Sequence, residues 1–213
     1  MTIDYTSVIV YGMKRIAVIA YGVLTIAGGV LGAAGTRPGS SAAEVAVYYA
    51  AHQGLVQLLA LVVFGAGLSL AAWTAAERPP APGFAGGLLA SGSLLLSGLA
   101  MWTAAQNADP AVARAFTSLS FAAGAFGFAV PLALLIASVA RAQARWLAIT
   151  GYVIAALAGL SVFGMLTDVL YPLIPVGRFG GLIWLVLATF VKRPDYPDPA
   201  PPPPSTDGLR PAV

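Results

Sequence analysis

The chain has 213 residues, 59% hydrophobic and only 9% charged, with a mean hydropathy of +0.85. Soluble domains carry roughly 25% charge and about 45–50% apolar residues, so too little polar surface is present to cover a water-soluble bundle. The net charge of +3 does not point to nucleic acid, because Lys and Arg are dispersed at helix ends rather than gathered in a stripe, and the absence of cysteine removes disulfides, thiolate metal sites and thiol catalysis.

A membrane crossing needs about 20 mainly apolar residues, and six such runs follow one another along the chain. The opening MTIDYTSVIVYGMKR has its positive charges after its apolar stretch and no small-residue cleavage site. It is therefore read as a retained juxtamembrane segment rather than a signal peptide. The predicted spans are 15–35, 52–76, 83–105, 116–140, 146–171 and 176–191, separated by TRPGSS, ERPPAPG, QNADPAVAR, RAQAR and YPLIPVGR. Pro, Gly or charge in each connection ends a helix. The expected fold is an all-α polytopic bundle of six transmembrane helices, arranged as three tandem helical hairpins and occupying residues 1–193. The remainder, 194–213, is rich in proline and is expected to be a disordered cytoplasmic tail.

Basic residues near span ends favour the cytoplasm. With both termini inside, Lys14, Arg15, Arg78, Arg141, Arg145, Lys192, Arg193 and Arg210 lie inside, whereas Arg37, Arg114 and Arg178 lie outside. Trp73 and Trp146 then fall near the inner interface and Trp102 near the outer one, as an aromatic belt requires. Trp184 is near mid-membrane, in a helix contact or facing lipid. Basic residues that are mostly Arg, with abundant Ala, Gly and Pro, suggest a high-GC bacterial source and a bacterial cytoplasmic membrane.

The most unusual stretch is SSAAEVAVYYAAHQGLVQ at 40–57. Ser41 followed by Glu44 forms an S-x-x-E capping box. Steps of four then align Glu44, Tyr48 and His52, beside a second row of Tyr49, Gln53 and Gln57. The rise of the helix places His52 about 31 Å from Trp73, at the outer interface, with Glu44 roughly 12 Å above it. The tyrosines read as interfacial anchors, and Gln57, about 7 Å deeper than His52, needs a helix partner or a wet cavity. At the same level come Trp102, Thr103, Gln106 and Asn107 on the third span, Arg114 on the fourth, Asp168 and Tyr171 on the fifth, and Arg178 on the sixth. Asp168 and Arg178 face each other across a short turn, an arrangement that suits an ion pair closing the last hairpin or a charged group facing a cavity. In the fourth span, Gly124 and Gly127 allow close helix approach, and Pro131 removes a backbone hydrogen bond, a combination expected to kink the helix and widen the outer half.

The runs S-A-A-E-V-A-x-Y-Y-A-A at 41–51, D-P-A-V-A-R-A at 109–115, P-L-A at 131–133 and R-W-L at 145–147 resemble a family of six-span integral membrane proteins abundant in high-GC Gram-positive bacteria. That resemblance implies the topology and no activity.

Two function classes suit these residues. In the first, the bundle binds a lipid, quinone or other apolar molecule in an outward-facing cavity, or serves as an accessory subunit of a membrane complex. Tyr48, His52, Gln53, Gln57, Trp102, Gln106, Asp168, Tyr171 and Arg178 are the expected ligand-binding residues. The second is a membrane enzyme using acid/base chemistry on a lipid or isoprenoid, with Glu44, His52 and Asp168 as catalytic candidates, although no catalytic motif orders them. A transporter would show charges or broken helices at mid-membrane, where only Pro131 and Gly-rich backbone stand. One histidine and no cysteine give no metal-ligand spacing, and no cofactor is expected. The partners consistent with this chain are membrane lipids, an apolar small molecule, a membrane protein or a second copy of the chain, and not nucleic acid.

Overall fold

A computed structural model describes residues 5–33, 35, 36 and 39–191, without the side chains of residues 5–8 and Asp168. The tail at 194–213, Arg37, Lys192, Arg193 and Arg210 lie outside the described residues, and so does the proposed Asp168–Arg178 contact. Among the described residues the protein is all-helical, with six helices long and apolar enough to cross a membrane. They are α1 (Tyr5–Gly32), α2 (Ala42–Glu77), α3 (Ala81–Gln106), the continuous α4 (Pro110–Ala122), π turn (Ala123–Gly127) and α5 (Phe128–Ala140), then α6 (Arg145–Leu160) and α7 (Leu173–Phe190). This is a polytopic membrane bundle.

Each helix packs on the next, and α7 returns to α1, so the six spans close a ring. The face carrying the start of α1 and the end of α7 is called here the terminal face, and the other the far face. The pairs α1–α2, α3–α4/α5 and α6–α7 are in contact as hairpins, and α2 and α3 pack just as intimately. The close approaches run through glycines: a Cβ on Gly98 would stand 2.8 Å from the Ala60 carbonyl oxygen, and one on Gly86 would stand 2.6 Å from that of Pro131. Without a strong hydrophobic drive between helices in lipid, such contacts and interhelical hydrogen bonds carry the association.

Helix ends depart from the apolar runs where local chemistry outweighs hydropathy. The start of α1 at Tyr5 precedes the expected start of its span by ten residues. The fifth span leaves α-helix at Leu160 and continues as 3-10 turns at Ser161–Met165 and Asp168–Leu170, ahead of the Pro172 break. The fourth span carries its distortion where the glycines and Pro131 stand. Pro131 has no N–H to offer the Gly127 carbonyl, and the Ser93 hydroxyl from α3 donates to that oxygen instead, at 2.9 Å. A neighbouring hydroxyl replacing a lost backbone bond is how membrane helices tolerate proline.

The main core lies in the terminal-face half and includes Val18, Tyr21, Leu70, Trp73, Leu94, Phe128, Leu132, Leu135, Leu147 and Trp184. Trp73, expected in an aromatic belt, is instead 1% exposed, and its indole N–H donates to the Thr189 hydroxyl at 2.9 Å. Burying an indole requires such an acceptor. Trp184 takes the helix-contact alternative: it is buried against Gly151, and its N–H donates to the Leu147 carbonyl at 2.8 Å. Trp146 is exposed, as an interfacial residue would be. At the terminal face, Lys14 of α1 forms an ion pair with Glu77 of α2.

Candidate binding cavity

The far-face half is organised by the start of α2. Ser41 is its cap, with the Glu44 N–H donating to the Ser41 hydroxyl at 3.3 Å and the Ser41 N–H donating to the Glu44 carboxylate at 2.7 Å. This is the reciprocal capping box the sequence predicts. Because α2 has 36 residues, far more than the roughly 20 a crossing needs, its first turns extend past the apolar stretch. There the Ser41 backbone N–H holds the exposed Glu44 carboxyl below its ordinary pKa.

Tyr49 does not act as an exposed anchor. It is buried in a second, smaller core with Val45, Val56, Ala104, Ala105 and Ala113, where the ends of α2, α3 and α4 meet. Its hydroxyl lies 3.0 Å from that of Thr117 on α4. Tyr48 borders this core and stacks on His52, with ring centroids 4.6 Å apart.

At His52 the helix kinks, with φ −129° and ψ 28°. Its exposed ring reaches back to the Tyr48 carbonyl oxygen at 3.0 Å through Nδ1, which must carry the proton because a carbonyl only accepts. The kink ends the straight four-residue rows on which the polar stripe was projected. Gln53, beyond it, donates to the Ala105 carbonyl at 3.1 Å and so clips α2 to the end of α3.

Below this second core lies a cavity of about 370 Å³, within the range of small-molecule sites. Five of the six spans line it. From α1 come Thr25, Gly28, Gly29 and Gly32; from α2 Tyr48, Tyr49, Leu55, Val56, Leu59 and Val63; from α3 Ser97 and Met101. Thr117, Ser120 and Phe121 of α4, with Gly124 and Ala125 of the π turn, form the opposite wall. Ile174, Pro175, Arg178 and Phe179 of α7 complete it.

The α1 glycines explain much of the space. A Cβ on Gly28 or Gly32 would find its nearest neighbour only at 3.6 Å, an ordinary contact, so these positions leave room rather than permit a crossing. Gly29 differs: a Cβ there would stand 3.0 Å from the Phe179 ring, which therefore closes the seam between α1 and α7. Across the cavity, the Ser97 hydroxyl donates to the Ser120 carbonyl at 2.8 Å, fixing α3 to α4 just before the π turn.

Of the ligand-binding residues expected from sequence, Tyr48 and Arg178 line the cavity. His52, Gln53, Gln57, Trp102, Gln106 and Tyr171 are not among its walls. Tyr171 stands behind one of them, edge-on to Phe121 with centroids 6.2 Å apart. Trp102 and Gln106 are exposed at the far end of α3. Leu55 and Leu59, outside the polar stripe, form the cavity face of α2 with Val56. Glu44 and His52 lie away from it, and Asp168 is described only as backbone in its 3-10 turn. Sequence reasoning missed Thr25, Ser97 and Ser120, and also Tyr21 beneath. A signal was present in α1, where Tyr21, Thr25, Gly28 and Gly32 recur at steps of three and four.

The guanidinium of Arg178 lies 5.7 Å from the Phe128 ring centroid, a cation–π distance, and among the described residues it meets no carboxylate. The described residues contain no cluster of three or more His, Cys, Asp or Glu side chains suited to a metal ion. The cavity therefore offers hydrocarbon walls, hydroxyls and one cation. Comparison with protein-family models, curated proteins and solved structures finds no match, leaving the chain's own geometry as the guide to its function.

Proposed function

We propose that this protein holds a lipid, quinone or other apolar molecule in its far-face cavity, within a bacterial cytoplasmic membrane and with both termini in the cytoplasm. The observation that carries this reading is the cavity's composition: apolar walls from Leu55, Val56, Leu59, Val63, Phe121 and Phe179 surrounding a few polar groups. Such walls reward an apolar occupant at about 25 cal/mol per Å² buried, while polar groups set its orientation.

Gly32→Phe tests the reading directly, because Gly32 borders the space and has no crowded neighbour. Native mass spectrometry of protein released from its membrane is expected to show an adduct on the native chain that is lost in this variant, at an unchanged unfolding temperature. An adduct that survives the occlusion would place binding elsewhere.

The orientation rests on Lys14, Arg15, Arg78, Arg141 and Arg145 at the terminal face, against Arg114 and Arg178 towards the far face, with exposed Trp146 at the former. Because the native chain has no thiol, a single introduced cysteine reports its own side. A membrane-impermeant maleimide added to intact cells is expected to modify Ala43→Cys and spare Ala142→Cys, and the reverse pattern would invert the topology.

A further inference from the structure

We infer that the cavity's occupant is a hydrocarbon-tailed carboxylate whose head group is held by Arg178. This deepens the binding reading above and rests on it. Three observations converge on the α1–α7 side of the cavity. Arg178 lines it, and among the described residues no carboxylate neutralises the guanidinium. Thr25, also in the lining, is 1% exposed and its hydroxyl oxygen has no hydrogen-bond partner. Tyr21, one turn earlier on the same face of α1 and wholly buried, has a hydroxyl whose one candidate partner among the described residues is that of Thr25.

Buried polar atoms are almost always hydrogen-bonded, and two hydroxyls left to each other still lack an acceptor for one proton, so this pair near a cation that meets no carboxylate among the described residues marks a place where acceptors are missing. A neutral apolar guest would leave the cation with no carboxylate among the described residues. An anionic oxygen pair accepts from the guanidinium fork in the bidentate geometry Arg favours, with a lone pair left for a threonine hydroxyl. Charge selects among anions. One arginine balances one carboxylate, whereas a phosphate monoester brings nearly two negative charges and a phosphodiester brings a second substituent. Leu55, Leu59 and Phe121 leave apolar space for a tail.

The probes are dodecanoate, dodecanol and dodecyl phosphate, which share one tail, titrated into the full chain in lipid nanodiscs. Dodecanoate is expected to bind at least about thirtyfold more tightly than dodecanol, the loss typical when one partner of a buried charged pair is removed. In Arg178→Gln that preference should vanish while dodecanol binding is kept, and Thr25→Val should weaken dodecanoate several-fold. If Arg178→Gln does not fold, Arg178→Lys keeps the charge without the fork and is expected to bind dodecanoate less well than the native chain. Equal binding of dodecanoate and dodecanol by the native chain overturns the inference, and so does tighter binding of dodecyl phosphate. If Gly32→Phe blocks both C12 ligands but they bind equally, the cavity reading stands and the carboxylate alone fails. If Gly32→Phe blocks neither, the cavity reading itself fails.

Discussion

Glu77→Gln is expected to destabilise the protein by about 3 kcal/mol or more, the cost of breaking a buried ion pair by neutralising one of its members. The Glu77 side chain is only 3% exposed and that of its partner Lys14 is 14% exposed, so water cannot take over the lost contact. The pair also joins α1 to α2 at the terminal face, where the Arg15 guanidinium lies over the rings of Tyr11 and Phe190. Replacing both charges, as in Lys14→Met with Glu77→Leu, should recover much of the loss, because an apolar pair pays no desolvation of charge. Thermal unfolding in a fixed detergent checks both. Single variants within about 0.5 kcal/mol of the native chain, the range of ordinary surface changes, would show the pair to be solvated.

The second large effect concerns α3 and α5. Gly86→Ala is expected to cost about 2 kcal/mol or more, at the upper part of the usual range for overpacking. Its new Cβ would lie 2.6 Å from the Pro131 carbonyl oxygen and 3.0 Å from the Leu135 backbone nitrogen. Neither is a side chain that can rotate away, so the helices must part. Gly92→Ala in the same helix is the control, since nothing lies within 4 Å of its added Cβ, and it should be neutral or stabilising through reduced chain entropy. If the two variants unfold at the same temperature, the α3–α5 contact is looser than described.

These contacts show where sequence reading reaches and where it stops. Runs of apolar residues announce six spans because the membrane imposes a length and a composition. Local chemistry is legible too. Ser41 and Glu44 form their box from a three-residue spacing, and Pro131 disturbs its helix where a missing N–H says it must. Long-range pairing is not legible. Lys14 meets Glu77, Trp73 meets Thr189 and Ser93 rescues Gly127 only after α1, α2, α3, α5 and α7 are arranged.

The cavity was partly legible for the same reason. Concentrated polarity near one face pointed to the half of the bundle that holds the cavity, and Tyr48 and Arg178 line that space. The projected stripe assumed a straight α2, however, and the non-helical backbone at His52 removes that assumption. Gln53 is spent on the Ala105 carbonyl, while the cavity face of α2 passes to Leu55, Val56 and Leu59. Tyr49 looked interfacial because tyrosines at that depth usually are. It is buried because α2 projects far enough for α3 and α4 to cover it, which depends on helix lengths that hydropathy does not report.

A density map of the protein in its native lipid, with a bound antibody fragment to add mass, tests the central claim most directly. A ligand-holding cavity predicts continuous density enclosed by Leu59, Phe121 and Phe179, ending against the Arg178 guanidinium and the Thr25 hydroxyl. Side chains collapsed into that space, with Arg178 paired to a carboxylate of the chain itself, would contradict it.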